Sequence, residues 1–463
     1  MTLLLNDLIS KHIADVSDYT EIRTQVSTNS GISIVSGNLV GNSRVTASGV
    51  CARVYKNGVY GFSSVGEYTD ESVKAVLRAA QDNAHFLDRR VNKNKPALYN
   101  SPVANYTDNT KIIDVPQKLL LDFAKELDDY IVNKYPDLSS RSVMIRCDSS
   151  ERLLHVSTGS SAYTVSPRSC IYVDMSAEAK DGSNVELFEV MDCARGYFTD
   201  VFTTPDALYE KIDELYEKLM AKKEGVFSEA GVCDCIIDSS IAGMIAHEAV
   251  GHTVESDLVL AGSVAATNLG KQVASEKITI IDYAHTAFGK TVPLPLYVDD
   301  EGTPCEDAVL IENGILTGYM NNKESAVHFG MKPCGNARAH AFDDEPLVRM
   351  RNTAILPGTD KLADMIASID NGYYLTKTQN GQADTTGEFM FGITMGYEIK
   401  NGKLGRAIRD TTISGVAFET LKTVDMLSDE LHWACSGYCG KKQPMAVSDG
   451  GPAVKCKINI GGR

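Results

Sequence analysis

Residue types that bind metals and transfer protons lie together in the hexapeptide HEAVGH, residues 247–252. It places His247 and His252 around Glu248, in a chain that contains only nine histidines. Imidazole nitrogens are common zinc ligands, and a glutamate beside a ligand is free to accept a proton from an attacking water. The hexapeptide therefore predicts a metal site with Glu248 as the general base.

The spacing of the two histidines differs from that of the zinc-protease motif HExxH, whose histidines are four residues apart and share one helix face. Here the separation is five residues. Five residues of an ideal α-helix turn through about 140°, which aims the two rings apart. Gly251 supplies backbone freedom. We therefore expect the helix to end or distort near Gly251, so that His252 meets His247 at the metal.

A catalytic zinc ion needs a third protein ligand, and its fourth position stays open for water or substrate. None of the remaining histidines has ligand-like spacing, but Cys435 and Cys439 lie in the loop WACSGYCGKKQPMAVSDGG. A thiolate from that loop would complete a His/His/Cys site, and sulfur favours zinc over magnesium or calcium. The residue types alone do not decide between the two cysteines.

The first half of the chain combines helices with hairpins. Helical periodicity predicts helices near the N-terminus and from Asp70, Val115 and Asp206. Asn57-Gly58 separates two alternating apolar runs, which is the signal of a tight hairpin. The alternating stretch from Ser142 to Ala179 predicts three strands joined by turns.

The second half is predicted to be mostly β. A glycine-punctuated polar segment after Glu224 indicates a boundary near residue 228, and hairpin turns follow at Asn313-Gly314 and Asn401-Gly402. The expected fold class is α+β. Residues 1–227 would form a mixed α/β domain with an antiparallel sheet, further divisible into about 1–105 and 106–227. Residues 228–463 would form a mostly β, barrel-like domain that carries the HExxxH helix.

Composition excludes several classes of protein. The net charge of -16 and the pI near 5.1 argue against nucleic acid as a partner, because phosphate binding needs a basic surface. No apolar window reaches the roughly 18 residues that span a bilayer, so we expect no contact with a membrane. The short apolar N-terminal run lacks a basic leader and predicts a helix, not a signal peptide. Eleven scattered cysteines then indicate reduced thiols in the cytoplasm.

Several stretches together resemble the TldD subfamily of the TldD/PmbA (TldD/TldE) proteins: HEAVGH, PLVRMRNTAILPG from Pro346 to Gly358, GQADTTGEFMFGITMGYEIKNGK from Gly381 to Lys403, and the C-terminal YCGK. The resemblance covers essentially the whole chain. It implies that His247, His252 and Cys439 bind zinc and that Glu248 activates water. Cys439 is preferred over Cys435 because Gly-Lys follows it, as in the family's Cys-Gly-Lys motif.

The resemblance also implies a substrate and a partner. Unfolded or small peptides would bind in extended form inside a chamber between two subunits, with main-chain pairing and low sequence specificity. The second subunit would be a PmbA/TldE-like chain, which lacks HExxxH, or a second copy of this chain. One departure from the family is the segment TVESD after His252, where other members often have a glycine. It leaves the ligand assignment intact but leaves the neighbouring substrate contacts open.

The leading hypothesis is therefore a cytoplasmic zinc metallopeptidase. A peptide-binding or maturation scaffold with a structural metal is the alternative, and it would need Cys435 as a fourth ligand. A thiol enzyme with Cys439 as nucleophile is a third interpretation, which leaves the HExxxH arrangement without a role. We also expect Arg338, Arg349 and Arg351 to form internal ion pairs with the acidic run Asp343, Asp344 and Glu345.

Overall fold

The structure, a computed structural model, describes residues 9–14, 16–91 and 97–461. Of the helix predicted at the N-terminus, residues 9–13 are helical. The remainder of that prediction lies mostly outside the described residues.

A seven-stranded sheet forms the centre of the N-terminal half, with strand order β3-β2-β1-β5-β6-β4 and with β7 also paired to β6. Its strands are β1 Tyr19–Val35, β2 Asn38–Lys56, β3 Val59–Val65, β4 Asn105–Thr107, β5 Ser140–Val156, β6 Ser161–Glu178 and β7 Asn184–Arg195. All pairings are antiparallel except that of β4 with β6. The predicted turn at Asn57-Gly58 joins β2 to β3, and both residues have positive φ.

Three long helices pack on this sheet, and all three were predicted. Asp70–Val91 buries Val73, Val76, Ala80 and Ala84 against β1 and β2, at the spacing of one helix face. Gln117–Lys134 and Tyr209–Lys223 share a second core with β5, β6 and β7. The short helix Phe198–Val201 and the 3-10 turn Pro205–Leu208 precede the third long helix.

The prediction of three strands between Ser142 and Ala179 is wrong, because the structure has only β5 and β6 there. The polar run Ser149–Ser150–Glu151 lies inside β5. That run pairs with β1 on one side and with β6 on the other. Hydrogen bonding to two neighbouring strands outweighs the local preference of serine for turns.

Five strands of the C-terminal half, β8, β17, β18, β20 and β26, close into a barrel, because β17 pairs with both β8 and β18. The strands of this half are β8 Gly231–Ile237, β9 Ile280–Tyr283, β10 Thr286–Ala287, β11 Lys290–Thr291, β12 Ala308–Glu312, β13 Ile315–Leu316, β14 Ala337–Arg338, β15 Leu347–Val348, β16 Asn352–Ile355, β17 Asn371–Ala383, β18 Glu388–Lys400, β19 Lys403–Ile408, β20 Thr411–Val416, β21 Met426–Leu427, β22 His432–Ala434, β23 Tyr438–Cys439, β24 Met445–Ala446, β25 Ser448–Gly451 and β26 Val454–Ile460. A second sheet has the order β13-β12-β9-β16-β25-β22. The expected α+β fold with a barrel-like C-terminal part is confirmed.

Short helices connect these strands. They are Ser239–Met244, the π-helix Ile245–Gly251, the 3-10 turns His252–Val254 and Val264–Thr267, Ser256–Leu260, Lys323–Phe329, Leu362–Ala367 and Ala417–Lys422. Ile241, Ile245 and Val250 are buried in one core with barrel side chains such as Leu375 and Phe391. Burial of each such side chain contributes roughly 1.5–3 kcal/mol, so this core holds the segment that carries HEAVGH.

The expectation that all cysteines are reduced is wrong for one pair. Cys170 and Cys193 are directly opposite each other on β6 and β7, with Cα atoms 4.0 Å apart, and a disulfide joins them. The other nine cysteines are free. No helix in the described ranges is long and apolar enough to span a bilayer. The division of the chain near residue 228 stays a prediction.

Candidate metal centre

The helix that carries HEAVGH changes its winding within the motif. It is α-helical over Ser239–Met244, becomes a π-helix over Ile245–Gly251 and continues as a 3-10 turn from His252. In the π-helical part the N–H of His252 donates to the carbonyl of His247, five residues earlier. The two rings therefore lie one turn apart, with centroids 5.2 Å from each other and planes at 86°. The wider turn is what makes a spacing of five residues suitable for a shared ligand.

Gly251 has a different role from the one expected. Its φ of -52° and ψ of -51° are ordinary helical values, so it does not supply unusual backbone freedom. A Cβ on Gly251 would instead lie 2.1 Å from the Sδ atom of Met350. The departure from α-helical winding begins at Ile245, well before the glycine. The absence of a side chain at Gly251 leaves room for Met350, and the π-helical turn aligns the histidines.

Cys439 comes to the two histidines from the short hairpin formed by β23 and β24. Its Sγ lies 3.1 Å from Nε2 of His252. One donor atom from each of His247, His252 and Cys439 lies within 4.8 Å of the others. Burial would raise the pKa of the Cys439 thiol, but the facing imidazoles lower that pKa to about 4. The structure thus brings together the three side chains expected to hold the metal, one of them as a thiolate.

A buried carboxylate orients His252. Oε2 of Glu255 lies 2.7 Å from Nδ1 of His252 and 3.1 Å from Nζ of Lys441. Glu255 has no exposed surface. Burial would raise its pKa, but His252 and Lys441 hold that pKa below its usual value. A carboxylate on one ring nitrogen of histidine leaves the other nitrogen for a metal, the arrangement common in zinc proteins.

His247, unlike His252, has no hydrogen-bond partner for its ring nitrogens, Nδ1 and Nε2. Its side chain is buried. Unpaired buried polar atoms are costly, and each one in a native protein calls for an explanation. A metal ion bound to one of these nitrogens removes part of that cost. Two imidazoles and one thiolate form a donor set that fits zinc.

Two further carboxyl groups border the cluster. Oε2 of Glu248 lies 3.6 Å from Nε2 of His252, and its side chain is 27% exposed. Glu248 is therefore next to the donor atoms, outside the donor set and accessible to solvent. Burial, reinforced by the charge of Glu248, raises the pKa of Asp449 to about 6.

Cys435, the other cysteine of the loop, points elsewhere. Its Sγ donates to the carbonyl of Cys193, at 3.1 Å. Among the residues that the structure describes, the only group of histidine, cysteine and acidic side chains close enough to hold a metal is His247, His252 and Cys439. That group leaves a coordination position for a ligand from outside the chain.

A cleft of about 230 Å³ lies between the N-terminal sheet and the loop that carries Cys439. Its apolar wall includes Leu294, Phe342 and Tyr438. Met445 also lines it and packs against Cys439. The metal centre therefore shares a wall with a space that could receive a substrate side chain.

The predicted pairing of three arginines with residues 343–345 is wrong. Arg351 binds Asp282 through Nε and Oδ2, at 2.8 Å. Arg338 donates to the carbonyls of Met350 and Ala446. Arg349 donates to carbonyls of the Cys439 loop. Adjacency in sequence was a poor guide because these side chains extend to other strands.

Four residues of the centre were not identified from the sequence. Glu255 belongs to the segment TVESD, in which the sequence shows only a departure from the family pattern. Lys441 belongs to the Cys-Gly-Lys motif that selected Cys439, but its ion pair with Glu255 gave no signal. Arg349 and Asp449 act from distant segments, so local sequence patterns could not connect them with the histidines.

Comparisons with known proteins show the family of this chain. A family model described as the PmbA/TldA metallopeptidase C-terminal domain matches residues 230–462, and the model for domain 1 of the same family matches residues 20–84. A metalloprotease of Methanothermobacter thermautotrophicus is 30% identical over 97% of this chain and 97% of its own length. A protein of Saccharolobus solfataricus named zinc metalloprotease TldD homolog is 33% identical over 61% of this chain and 63% of its own length.

The fold also matches a solved structure. The crystal structure of TldE from Thermococcus kodakarensis superimposes with a TM-score of 0.76, and the match covers 100% of both chains. The sequence identity is 19%, so this likeness concerns the fold.

Proposed function

Because the chain belongs to the PmbA/TldD family of metallopeptidases, we propose that it is a zinc-dependent peptidase that hydrolyses unfolded or small peptides. His247, His252 and Cys439 would hold the zinc ion, and Glu248 would be the general base. The observation that carries the proposal is the meeting of these three donors beside a partly exposed glutamate that is not one of them.

Zinc at this centre would act as a Lewis acid that polarises the peptide carbonyl and lowers the pKa of the attacking water. The protein's own groups account for the proton transfers. Glu248 accepts the proton of the attacking water and then passes it to the nitrogen of the departing amine. Glu255 keeps the Nδ1 side of His252 occupied, so that Nε2 faces the metal. His247 is buried, and charges interact more strongly away from bulk water.

The number of donors favours a catalytic over a structural zinc. Structural sites are usually closed by four protein ligands, whereas catalytic sites use three. Cys435 is the side chain that the scaffold alternative requires, and its Sγ is hydrogen bonded to the carbonyl of Cys193. The thiol-enzyme alternative requires no metal, so it predicts activity that persists in the presence of chelators.

We further propose that the peptide binds in extended form, and that the active enzyme is a dimer with a PmbA/TldE-like subunit or with a second copy. The cleft lined by Met445, which packs against Cys439, supports a peptide-binding site next to the metal centre. The full-length likeness in fold to TldE supports a pair of similarly shaped subunits that enclose a chamber. We also propose a location in the cytoplasm. Nine of the eleven cysteines are free, which supports a reducing compartment, whereas the disulfide between Cys170 and Cys193 does not.

The test is the substitution Glu248→Gln, with zinc content and peptide hydrolysis measured on the same preparation. The change removes a proton acceptor but no metal ligand. We expect one zinc ion per chain and a fall in kcat/KM on the order of 10²- to 10⁴-fold on an unstructured peptide. The matched control is Glu210→Gln on the helix Tyr209–Lys223, an exposed glutamate that is expected to leave both measurements unchanged.

Full activity of Glu248→Gln would contradict the assigned base. Activity of the unaltered protein that survives complete removal of zinc would contradict the metal mechanism. Both measurements are made with the partner subunit present as well as absent, since the chamber proposal places the substrate between two chains.

A further inference from the structure

One buried arginine, Arg349, directs its side-chain hydrogen bonds to the loop that carries Cys439. Arg349 has no exposed surface. Its Nη1 donates to the carbonyls of Lys441 and Gln443, at 2.8 and 2.9 Å, and its Nη2 donates to the carbonyl of Cys439, at 2.7 Å. Three carbonyls within five residues thus converge on a single guanidinium group.

The charge of Arg349 is not used in an ion pair. Within the described ranges, no carboxylate oxygen lies within 4.0 Å of its nitrogens, whereas Arg351, two residues later, has Asp282 at 2.8 Å. Burial of a cation is costly unless hydrogen bonds compensate it, and here most of that compensation comes from the loop's carbonyls. A guanidinium is planar and its donors have fixed directions, so it fixes the relative positions of the carbonyls that it binds.

The same segment contacts the histidine helix. Met350 occupies the space that a Cβ on Gly251 would need, immediately before His252. The N–H of Arg349 donates to the carbonyl of Asn336, at 2.9 Å, which anchors its backbone. Residues 349 and 350 therefore touch both elements that supply metal ligands, the helix through Met350 and the loop through Arg349.

Other side chains also hold this loop. Arg168 donates to the carbonyls of Cys435 and Gly437, and the side chain of Lys441 pairs with Glu255. The hairpin strands β23 and β24 have only two residues each. A Cβ added at Gly437 or at Gly440 would meet no atom within 4 Å, so neither glycine is held by close packing. A loop that is not held in place must lose conformational freedom when its thiolate binds a metal, and this loss weakens binding.

We propose that Arg349 is a positioning residue for the metal centre: it holds the backbone of residues 439–443 so that the Cys439 thiolate is placed against His247 and His252 before the metal binds. This role rests on the metal ligands of the proposed function. Arg349 does not contact the donor atoms. It binds the loop directly, and its charge also helps to lower the pKa of Glu255.

The experiment compares Arg349→Met with Arg338→Met. Both changes remove a guanidinium that donates to backbone carbonyls, but the partners of Arg338 are Met350 and Ala446, outside residues 439–443. Zinc affinity is measured by competition with a chromogenic chelator. We expect Arg349→Met to weaken zinc binding by roughly 10- to 100-fold, the usual effect of losing a group that orients a ligand. Arg338→Met should change it less than about threefold.

Cobalt substitution adds a readout that a general loss of stability does not reproduce. A cysteine thiolate bound to cobalt gives a charge-transfer absorption in the near ultraviolet. With cobalt at saturation, this band should be weaker in folded Arg349→Met than in the unaltered protein and undiminished in Arg338→Met. Circular dichroism establishes that each variant is folded. If either methionine variant does not fold, the pair Arg349→Lys and Arg338→Lys replaces it, with the same expected order.

Equal zinc affinity and equal cobalt spectra for the unaltered protein and the Arg349 variant would overturn the inference. Equal losses in the Arg349 and Arg338 variants would also overturn it, because the effect would not be specific to residues 439–443. Failure of the proposed function is a separate outcome, since it appears in the unaltered protein as absence of a cysteine–cobalt band or as metal binding without peptidase activity.

Discussion

Two clusters of charged residues differ in whether their polar atoms have partners within the chain. In the first, one guanidinium binds both carboxylates. The guanidinium of Arg53 binds Glu21 at 2.9 Å and Glu301 at 2.7 Å. Tyr19 donates to Glu21, and the N–H of Lys323 donates to Glu301. Each carboxylate therefore has at least two partners. This cluster joins strands β1 and β2 to the C-terminal half.

The metal centre is less completely buried, and several of its polar atoms have no partner. Neither ring nitrogen of His247 has a hydrogen-bond partner, and one carboxylate oxygen of Glu255 has none. Arg349, nearby, interacts with carbonyls and has no carboxylate partner in the described part of the chain. A closed cluster stabilises the fold, whereas an incomplete one provides donors for a ligand that the chain does not supply.

Of the changes that test this comparison, His247→Ala is expected to have the largest effect, which is loss of zinc. The change removes one of three zinc ligands, and we expect no zinc to remain after dialysis against a weak chelator. The metal-free protein should lose at most about 1 kcal/mol of unfolding free energy, because removal of two unpaired buried nitrogens offsets the lost packing. Metal analysis and urea unfolding are the measurements. Unfolding that is far easier than this would show that His247 belongs to a structural cluster.

Arg53→Met should have the reverse pattern, with a loss of stability and almost no change in zinc binding. It leaves Glu21 and Glu301 buried without their cation, and loss of one partner from a buried ion pair costs about 3–5 kcal/mol. Urea unfolding should show this loss. Zinc affinity of the folded protein should remain within about twofold of the unaltered value, because Arg53 has no contact with the metal centre. Weakened zinc binding in the folded variant would mean that the two clusters are coupled.

The meeting of His247, His252 and Cys439 could be predicted from the sequence. The spacing of HEAVGH indicated the two histidines, and the resemblance to the family's Cys-Gly-Lys motif selected Cys439. HEAVGH required a departure from α-helical winding, and the departure is present. Its physical form could not be read from the motif. Gly251 suggested a flexible helix end, whereas the structure explains this glycine by Met350, a contact between residues distant in the chain.

Other features depended on partners that have no sequence signal. The run Ser149–Ser150–Glu151 prefers turns locally, and only pairing with strands on both sides keeps it extended. Arg349 binds backbone carbonyls, which every residue type presents, so no acidic partner marked its role. Hairpins with Asn-Gly turns were predictable because the two residues determine the turn without help from distant contacts.

The most direct test of the central claim is X-ray absorption at the zinc edge of the purified protein. A site built from His247, His252 and Cys439 predicts one sulfur neighbour at about 2.3 Å and nitrogen or oxygen neighbours at about 2.0–2.1 Å. In Cys439→Ser the sulfur neighbour should disappear, and in Cys435→Ser it should remain. Two sulfur neighbours, or a sulfur neighbour that survives Cys439→Ser, would contradict the account.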